Sequence, residues 1–474
     1  MNTKRLSMSS LRFLRAGKGL SFRTGKYFFE SMAVGVATGF VVVAFRYMIM
    51  FGKRWIMEGI GHHQFLSRLP DGEALAQMFS REALLDPHRW VMVVLPAAGA
   101  LLGHLLIRRF SKLDHARGTD SAIKAFHQNG GYVTGTVLPV KSVASVLTVG
   151  SGGSAGYEGP VTLLGAAVGS VLARRFGLSV RARRILMAAG LAAGIGALFQ
   201  APLAGALFGI EIFYSSGDVE YETVLPCFTA SAVSYTVFAY FFGWGSLFKM
   251  PPDCVFDSGL RLLPYFVLAL VVVFGVRFYI TMFRLVEGAF EEARIPGWTK
   301  PVVGGLVTGM IGFAFPDVLG SSYSIIQASF TAGQSELFND FGPMTVAGFV
   351  AFFFMKALAT SCTVGSGGSG GVFAPALVCG GTLGAAVGLA FARLLPASFG
   401  IHPAAFALVG MAGFIASSIR VPLTAIVMVA EISGNHELLL PAMWVCCISF
   451  WLNNGWSLYR SQVHSRESSP AHAG

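Results

Sequence analysis

Apolar residues fall in long runs along this chain rather than in the spaced stripes of amphipathic helices. Five runs, near 31–51, 90–107, 224–243, 262–280 and 344–358, are long enough or nearly so to cross a bilayer as helices. Between them lie stretches broken by glycine and proline, at 138–176, 184–213, 301–315, 371–394, 404–417 and 421–432. Many of these are too short or too interrupted for simple spans of about 20 residues. Irregular backbone at membrane depth survives only where protein buries it or where it lines a wet cavity. The alternation therefore predicts an all-α polytopic membrane protein with many short, tilted and broken helices, the construction of transporters and channels.

Composition narrows the class further. Of the 474 residues, 54% are hydrophobic and 12% charged, and the mean hydropathy is +0.63. A soluble domain carries about 25% charged residues, so a soluble enzyme of this length could not keep its surface wet. The 58 glycines suit helices that touch closely or break. The 35 Lys and Arg against 24 Asp and Glu give +11, scattered between apolar segments. That distribution fits loops facing anionic lipid and disfavours nucleic acid as a partner.

Residues 1–30 hold Lys4, Arg5, Arg12, Arg15, Lys18, Arg23 and Lys26 with no acid before Glu30. This basic segment is expected to stay in the cytoplasm. No cleavable signal peptide is visible, because the apolar run starts only near Ser31. Cys446 and Cys447 are adjacent, Cys362 and Cys379 sit in apolar stretches, and no C-x-x-C occurs. The cysteines read as small apolar fillers, not as a disulfide or metal framework, and no cofactor is indicated.

An internal repeat organises the chain. Residues 141–160 align without gaps on 356–375, with 11 of 20 positions identical, including Lys141 on Lys356 and Pro160 on Pro375. Residues 201–212 match 421–432, and 118–123 weakly echo 320–325. Three matched blocks in one order mean two homologous halves, about 85–244 and 260–459, within a single membrane domain of residues 31–459. Identity alone does not tell inverted from parallel halves. The 15 residues after Tyr459 are expected to form a short cytoplasmic tail without a regulatory domain.

Chemistry concentrates in the repeat. Each copy carries a Gly-Ser-Gly-Gly-Ser run between apolar stretches, at 150–154 and 365–369. Glycines let backbone amides approach a ligand, and a following helix start carries roughly half a positive charge. Two such loops meeting at mid-membrane would bind an anion without a full cationic side chain. No Gly-Lys-Ser/Thr ending makes either one a nucleotide loop. The blander alternative is that the glycines only permit close packing.

Glu158 stands between glycines just before Pro160, in an apolar setting where carboxylates are costly and usually functional. Ionised, it would occupy the place an anion wants; protonated, it could swing away, giving a pH-coupled gate. Its alternative role is a helix cap or ion pair. Lys141 and Lys356 hold matching places and would either raise the local potential or cap carbonyls. Glu211 and Glu431 match each other and read as structural pairs. Tyr459, after the last apolar segment, reads on its own as an interfacial belt residue.

Gly156-Tyr-Glu-Gly-Pro160 and Gly371-Val-Phe-Ala-Pro375 resemble two signatures of the CLC family of chloride channels and proton-coupled chloride exchangers. The likeness runs from about Gly118 to Tyr459. It implies a homodimer with one pore per subunit, two inverted halves, and both termini cytoplasmic in a bacterial inner membrane. Glu158 would be the gate and outer proton carrier. The central chloride would rest on the amides of Val372 and Phe373 and the Tyr459 hydroxyl, and an outer site would lie near the amides of Glu158, Gly159 and Ala374.

Three positions depart from that pattern. The family's first signature supplies a serine to the central anion, whereas this chain reads Arg117-Gly-Thr-Asp-Ser121, leaving Gly118 or Thr119 at that place. Exchangers of the family commonly carry an inner proton glutamate just after the position of Glu211, where this chain has Ile212. Tyr157 replaces a frequent Arg. Tyr459 with Pro160 and Pro375 favours chloride over fluoride, beside other halides and nitrate.

Exchange of chloride for protons is the expected activity, with a passive Glu158-gated chloride channel as the alternative that Ile212 favours. An intramembrane serine protease would need a histidine base inside an apolar helix, and only His104 lies well inside one. No enzyme is expected.

Overall fold

The computed structural model describes residues 8–60, 87–110, 118–251, 254–256, 258–331, 343–396 and 399–472. Lys4, Arg5 and Arg117 lie outside the described residues. Among the described residues, sixteen α-helices account for most of this length and there is no β-strand. In chain order they are α1 (Met8–Gly52), α2 (Pro87–Phe110), α3 (Thr119–Gln128), α4 (Val137–Gly150), α5 (Glu158–Arg175), α6 (Val180–Phe199), α7 (Pro202–Glu211) and α8 (Val224–Phe242). The second set is α9 (Leu262–Glu292), α10 (Thr299–Ala314), α11 (Tyr323–Thr331), α12 (Pro343–Gly365), α13 (Phe373–Leu394), α14 (Pro403–Ser418), α15 (Pro422–Ser433) and α16 (Leu439–Leu452).

Among the described residues, seven helices are long and apolar enough to cross a membrane. They divide into an inner and an outer set. In Phe373–Leu394, 89% of the apolar window is buried, against 39% in Trp90–Phe110, so the glycine-rich helices form the centre and the smoother ones face outward. Residues 371–394 and the first part of 184–213, broken by glycine in the sequence, therefore include uninterrupted helices. Their glycines serve contact instead of bending. A side chain at Gly165 on α5 would strike the backbone of Gly190 on α6, and one at Gly380 on α13 would strike Gly410 on α14. These are matching places in the two repeats, and each pair brings two backbones together as only glycine allows.

Corners match as well. Gln200 (φ 55°) ends α6 and Arg420 (φ 68°) follows α14, both in the left-handed region, and each is followed by a proline one residue on from the next corner position. Pro202 and Pro422 open the next helices, where a missing amide hydrogen costs nothing.

The relative direction of the halves follows from hydrogen bonds. Both carboxylate oxygens of Glu431, near the C-terminal end of α15, accept from Leu203 and Ala204 amides at the start of α7, at 3.1 and 2.7 Å. Glu211, at the C-terminal end of α7, accepts in turn from Leu423 and Thr424 amides at the start of α15, at 3.0 and 2.7 Å. Each helix thus ends where its counterpart begins, which is possible only if the two run antiparallel. The repeats are inverted, as the fold class anticipated. The two glutamates are structural, each neutralising orphan amides and the positive end of a helix.

Both terminal segments carry structure that the sequence pattern did not indicate. The basic N-terminal segment is continuous with the first span, since α1 begins at Met8. The C-terminal residues pack back onto the helices instead of trailing free. Ser215 and Ser216 amides donate to Val463 and His464 carbonyls at 2.9 Å each, and Arg184 donates to the Ala471 carbonyl at 2.6 Å. His127 of α3 bonds Ser469 Oγ at 2.7 Å and the Phe213 carbonyl at 3.0 Å. Its burial there, more than the neighbouring His472 and Arg184 charges, presses its pKa down to about 4.

Candidate functional site

Three helices start at one place. α5 opens at Glu158 and α13 at Phe373, matching positions of the repeat, and α3 opens at Thr119. The first amides of an α-helix have no intrahelical carbonyl to bond, so Glu158 and Gly159 on α5 and Phe373 and Ala374 on α13 present orphan N–H groups. Pro160 and Pro375, in the first turn of each, lose nothing there. The macrodipoles of these helices add roughly half a positive charge apiece at the meeting point.

The glycine loops lock the two main starts together around a local two-fold axis. Gly156 and Gly371 form an antiparallel bridge in which each amide donates to the other's carbonyl at 2.8 Å. Ser154 Oγ pairs with Thr360 Oγ1 at 3.1 Å, and at the matching place Ser369 Oγ pairs with Ser145 Oγ at 2.9 Å. The Ser154 amide donates to Thr363 Oγ1 and the Ser369 amide to Thr148 Oγ1, at 3.1 and 3.2 Å. The repeated Gly-Ser-Gly-Gly-Ser runs therefore face one another and hold the helix starts apart by a fixed distance. A Cβ at Gly159 would lie 2.7 Å from Gly371 Cα, and one at Gly118 (φ 47°) would crowd the Gly159 carbonyl, so α3 is drawn into the same junction.

Glu158 is buried at this junction with 1% of its surface exposed. Its Oε1 accepts a hydrogen bond from the Tyr323 hydroxyl at the start of α11. Oε2 lies between Gly156 and the Ala374 amide and has no partner of good hydrogen-bond geometry. The carboxylate thus projects across to the partner repeat's helix start. The carboxyl group rests where two sets of orphan amides point, and it holds on by one side-chain hydrogen bond.

Tyr459 is buried, 5% exposed, and not an interfacial belt residue. The C-terminal segment turns it inward: the Leu458 amide donates to the Ser418 carbonyl at 2.9 Å, and Ser457 Oγ accepts from the Tyr459 amide at 3.2 Å. Tyr459, Thr119, Gly371 and Val372 line one narrow cavity of about 30 Å³. Thr119 turns its hydroxyl toward that of Tyr459 without completing a bond of good geometry within the protein. Of the two residues at the missing serine's place, Thr119 presents the polar atom, while Gly118 supplies the close approach to Gly159. Phe373 turns its ring away from the amides onto Phe199 and Phe208, with centroids at 5.4 and 5.6 Å.

The other candidates sort by their contacts. Lys356 Nζ, fully buried, donates to Ser154 Oγ at 2.9 Å and to the Val318 and Gly320 carbonyls at 3.0 and 2.8 Å. It caps carbonyls and pins a glycine loop beside the junction. Lys141, at the matching place, is equally buried. Ile212 is fully buried in the apolar core. Among the described residues no group of three or more His, Cys, Asp or Glu could hold a metal. Tyr323 escaped the sequence reading, although it lies within the weakly matching block 320–325; only the fold brings it to Glu158.

Comparison with known proteins adds an independent line. The family model described as "Voltage gated chloride channel" matches residues 99–454. A protein of Ralstonia nicotianae, named provisionally as a ClcB-like chloride channel protein, is 31% identical over 365 residues, covering 76% of this chain and 82% of the relative. The H(+)/Cl(-) exchange transporter ClcA of Yersinia pseudotuberculosis is 32% identical over 422 residues, 87% of this chain and 81% of the relative. Among solved structures, a CLC-type fluoride/proton antiporter superposes with a TM-score of 0.75 at 21% identity, covering 94% of this chain and 99% of that one.

Proposed function

The chain belongs to the voltage-gated chloride channel family, and from that premise we propose that it carries chloride across a bacterial inner membrane in exchange for protons. The observation that carries this reading is the Glu158 carboxylate, buried against the Ala374 amide at the start of α13. A chloride and this carboxylate compete for the same orphan amides. Protonation removes the negative charge, weakens the hold on the amides and on Tyr323, and lets the side chain leave so that an anion enters. The same carboxyl carries the proton, which couples the two fluxes.

Inside this gate the anion rests on the amides of Val372 and Phe373, with the Tyr459 and Thr119 hydroxyls completing its shell; Gly118 contributes close packing only. The amides of Glu158, Gly159 and Ala374 form the outer position. Chloride, other halides and nitrate all suit such a cradle of neutral donors. The subunit assembles as a homodimer in lipid with both termini in the cytoplasm. Exchange is supported by the names of relatives such as the Yersinia transporter.

A passive channel gated by Glu158 is the second reading, favoured by Ile212, which offers no titratable group next to Glu211. Purified protein in liposomes separates the two. Under a chloride gradient the current of an exchanger reverses away from the chloride Nernst potential and moves with an imposed pH gradient. Reversal that follows chloride alone and ignores pH overturns exchange.

A further inference from the structure

Any exchanger must bring protons to Glu158 from both faces of the membrane. On the face that carries the C-terminal segment, Ile212 is buried among apolar residues. Its neighbour Glu211 spends both oxygens on the start of α15, with Thr424 Oγ1 donating a further bond at 2.6 Å. Neither can pass a proton inward. A vestibule of about 600 Å³ opens on this face, lined by Asp120, Lys124, Glu287, Glu291, Lys300 and Arg460 among others. The narrow cavity at Tyr459 and Thr119 lies deeper, and Asp120, Glu287, Val364 and Arg460 border both spaces.

Three carboxylates line the vestibule, two of them at its junction with the narrow cavity, and they differ. Glu291 is exposed, its side chain 52% accessible. Asp120 is committed to the C-terminal segment, accepting from the Ser461 amide and hydroxyl at 2.9 Å each. Glu287, in the last turns of α9, has only 4% of its side chain exposed, yet it lines the narrow cavity together with Tyr459 and Val372. Arg460, the residue after Tyr459, reaches it with Nη2 at 2.8 Å from Oε2. A buried carboxylate at the neck between a wide aqueous space and a narrow polar one is where a proton relay belongs.

We propose that Glu287 is the inner proton-transfer residue of this protein, a proposal that rests on the exchange reading above. Protonated Glu287 gives its proton to water in the narrow cavity, and further water beyond the Tyr459 and Val372 lining of that cavity carries a proton on to the Glu158 carboxylate. The Glu287 carboxylate left behind is held by Arg460 until the vestibule reprotonates it. Charge is conserved at each step, and the only other carrier is water. The groups facing Glu287 are Glu291 on its own helix, Asp120 and Lys124 on α3, Lys300 at the start of α10, and Tyr459 and Arg460 of the C-terminal segment.

The test is proton and chloride flux in liposomes for wild type, Glu158→Gln and Glu287→Gln. Glu287→Gln should lower proton flux about tenfold or more while chloride flux stays within about a factor of three. Unchanged coupling in Glu287→Gln, with coupling present in wild type, overturns the relay and leaves exchange standing. Wild type that moves no protons overturns exchange itself. Should Glu287→Gln carry no chloride, Arg460→Gln keeps the carboxyl and removes its cation. The pH for half-maximal proton uptake from that face must then rise by about half a unit or more, and an unmoved value overturns the proposal.

Discussion

Tyr323→Phe isolates the hold on Glu158, the proposed gate. The substitution keeps the ring, which packs edge-on to Phe248 with centroids 5.8 Å apart, and removes only the hydroxyl that donates to Glu158 Oε1. A hydrogen bond to an ionised group contributes about 1.5–3 kcal/mol, and a pH unit corresponds to about 1.36 kcal/mol. Tyr323 favours the charged carboxylate over the neutral carboxyl, so its loss favours the protonated, open gate. The midpoint of acid activation should move to higher pH by about 1–2 units. Well above the wild-type midpoint, chloride flux at fixed pH should rise about tenfold for each unit of that movement. The assay is chloride efflux from proteoliposomes, followed with an electrode across a pH series. A midpoint that stays in place, or falls, refutes the claim that the gate competes for its seat through this bond.

Glu158→Gln, a neutral isostere of the protonated gate, should abolish proton transport and keep chloride flux; proton pumping at the wild-type rate would remove Glu158 from the mechanism. Glu211→Ala and Glu431→Ala each uncap the opposite repeat's helix and should each cost about 2 kcal/mol of stability, read as a lower Tm in detergent, and an unchanged Tm would deny them a structural role. His127 has a folded pKa of about 4, below its unfolded value of about 6.5, so the unfolded form binds the extra proton as pH falls through 6.5. Its contribution is therefore intact at neutral pH and erodes on acidification, by about 2 kcal/mol at pH 5. Release of the C-terminal segment at pH 5, measured as trypsin cleavage after Arg466, should be suppressed in His127→Gln, and equal release in both proteins would contradict this.

The repeat was legible because its two halves carry the same loop twice, whereas its inversion entered only through the family resemblance, and the paired helix starts were legible because glycine, proline and one acid mark them by their own chemistry. Glu211 and Glu431 were recognised as a matched pair, though which helix each caps depends on how the halves dock. Tyr459 alone reads as a membrane-interface tyrosine; it is buried because the segment beyond it folds back, through contacts such as Ser469 with His127 that no local pattern encodes. Tyr323 and Glu287 lie about 130 to 165 residues along the chain from Glu158. Nothing in their neighbours in sequence marks them, and only packing brings the first to the gate and the second to the vestibule. Glycines in 371–394 suggested a broken span, whereas α13 is continuous and uses them to touch α14.

Bromide, which scatters anomalously, tests the cradle most directly when crystals of wild type and Glu158→Gln are grown in it and compared. The account predicts bromide against the Phe373 amide and the Tyr459 hydroxyl in both proteins, with a further bromide at the Ala374 amide only where the charged carboxylate is gone. Identical anomalous density in the two, or bromide nowhere near the starts of α5 and α13, would contradict it.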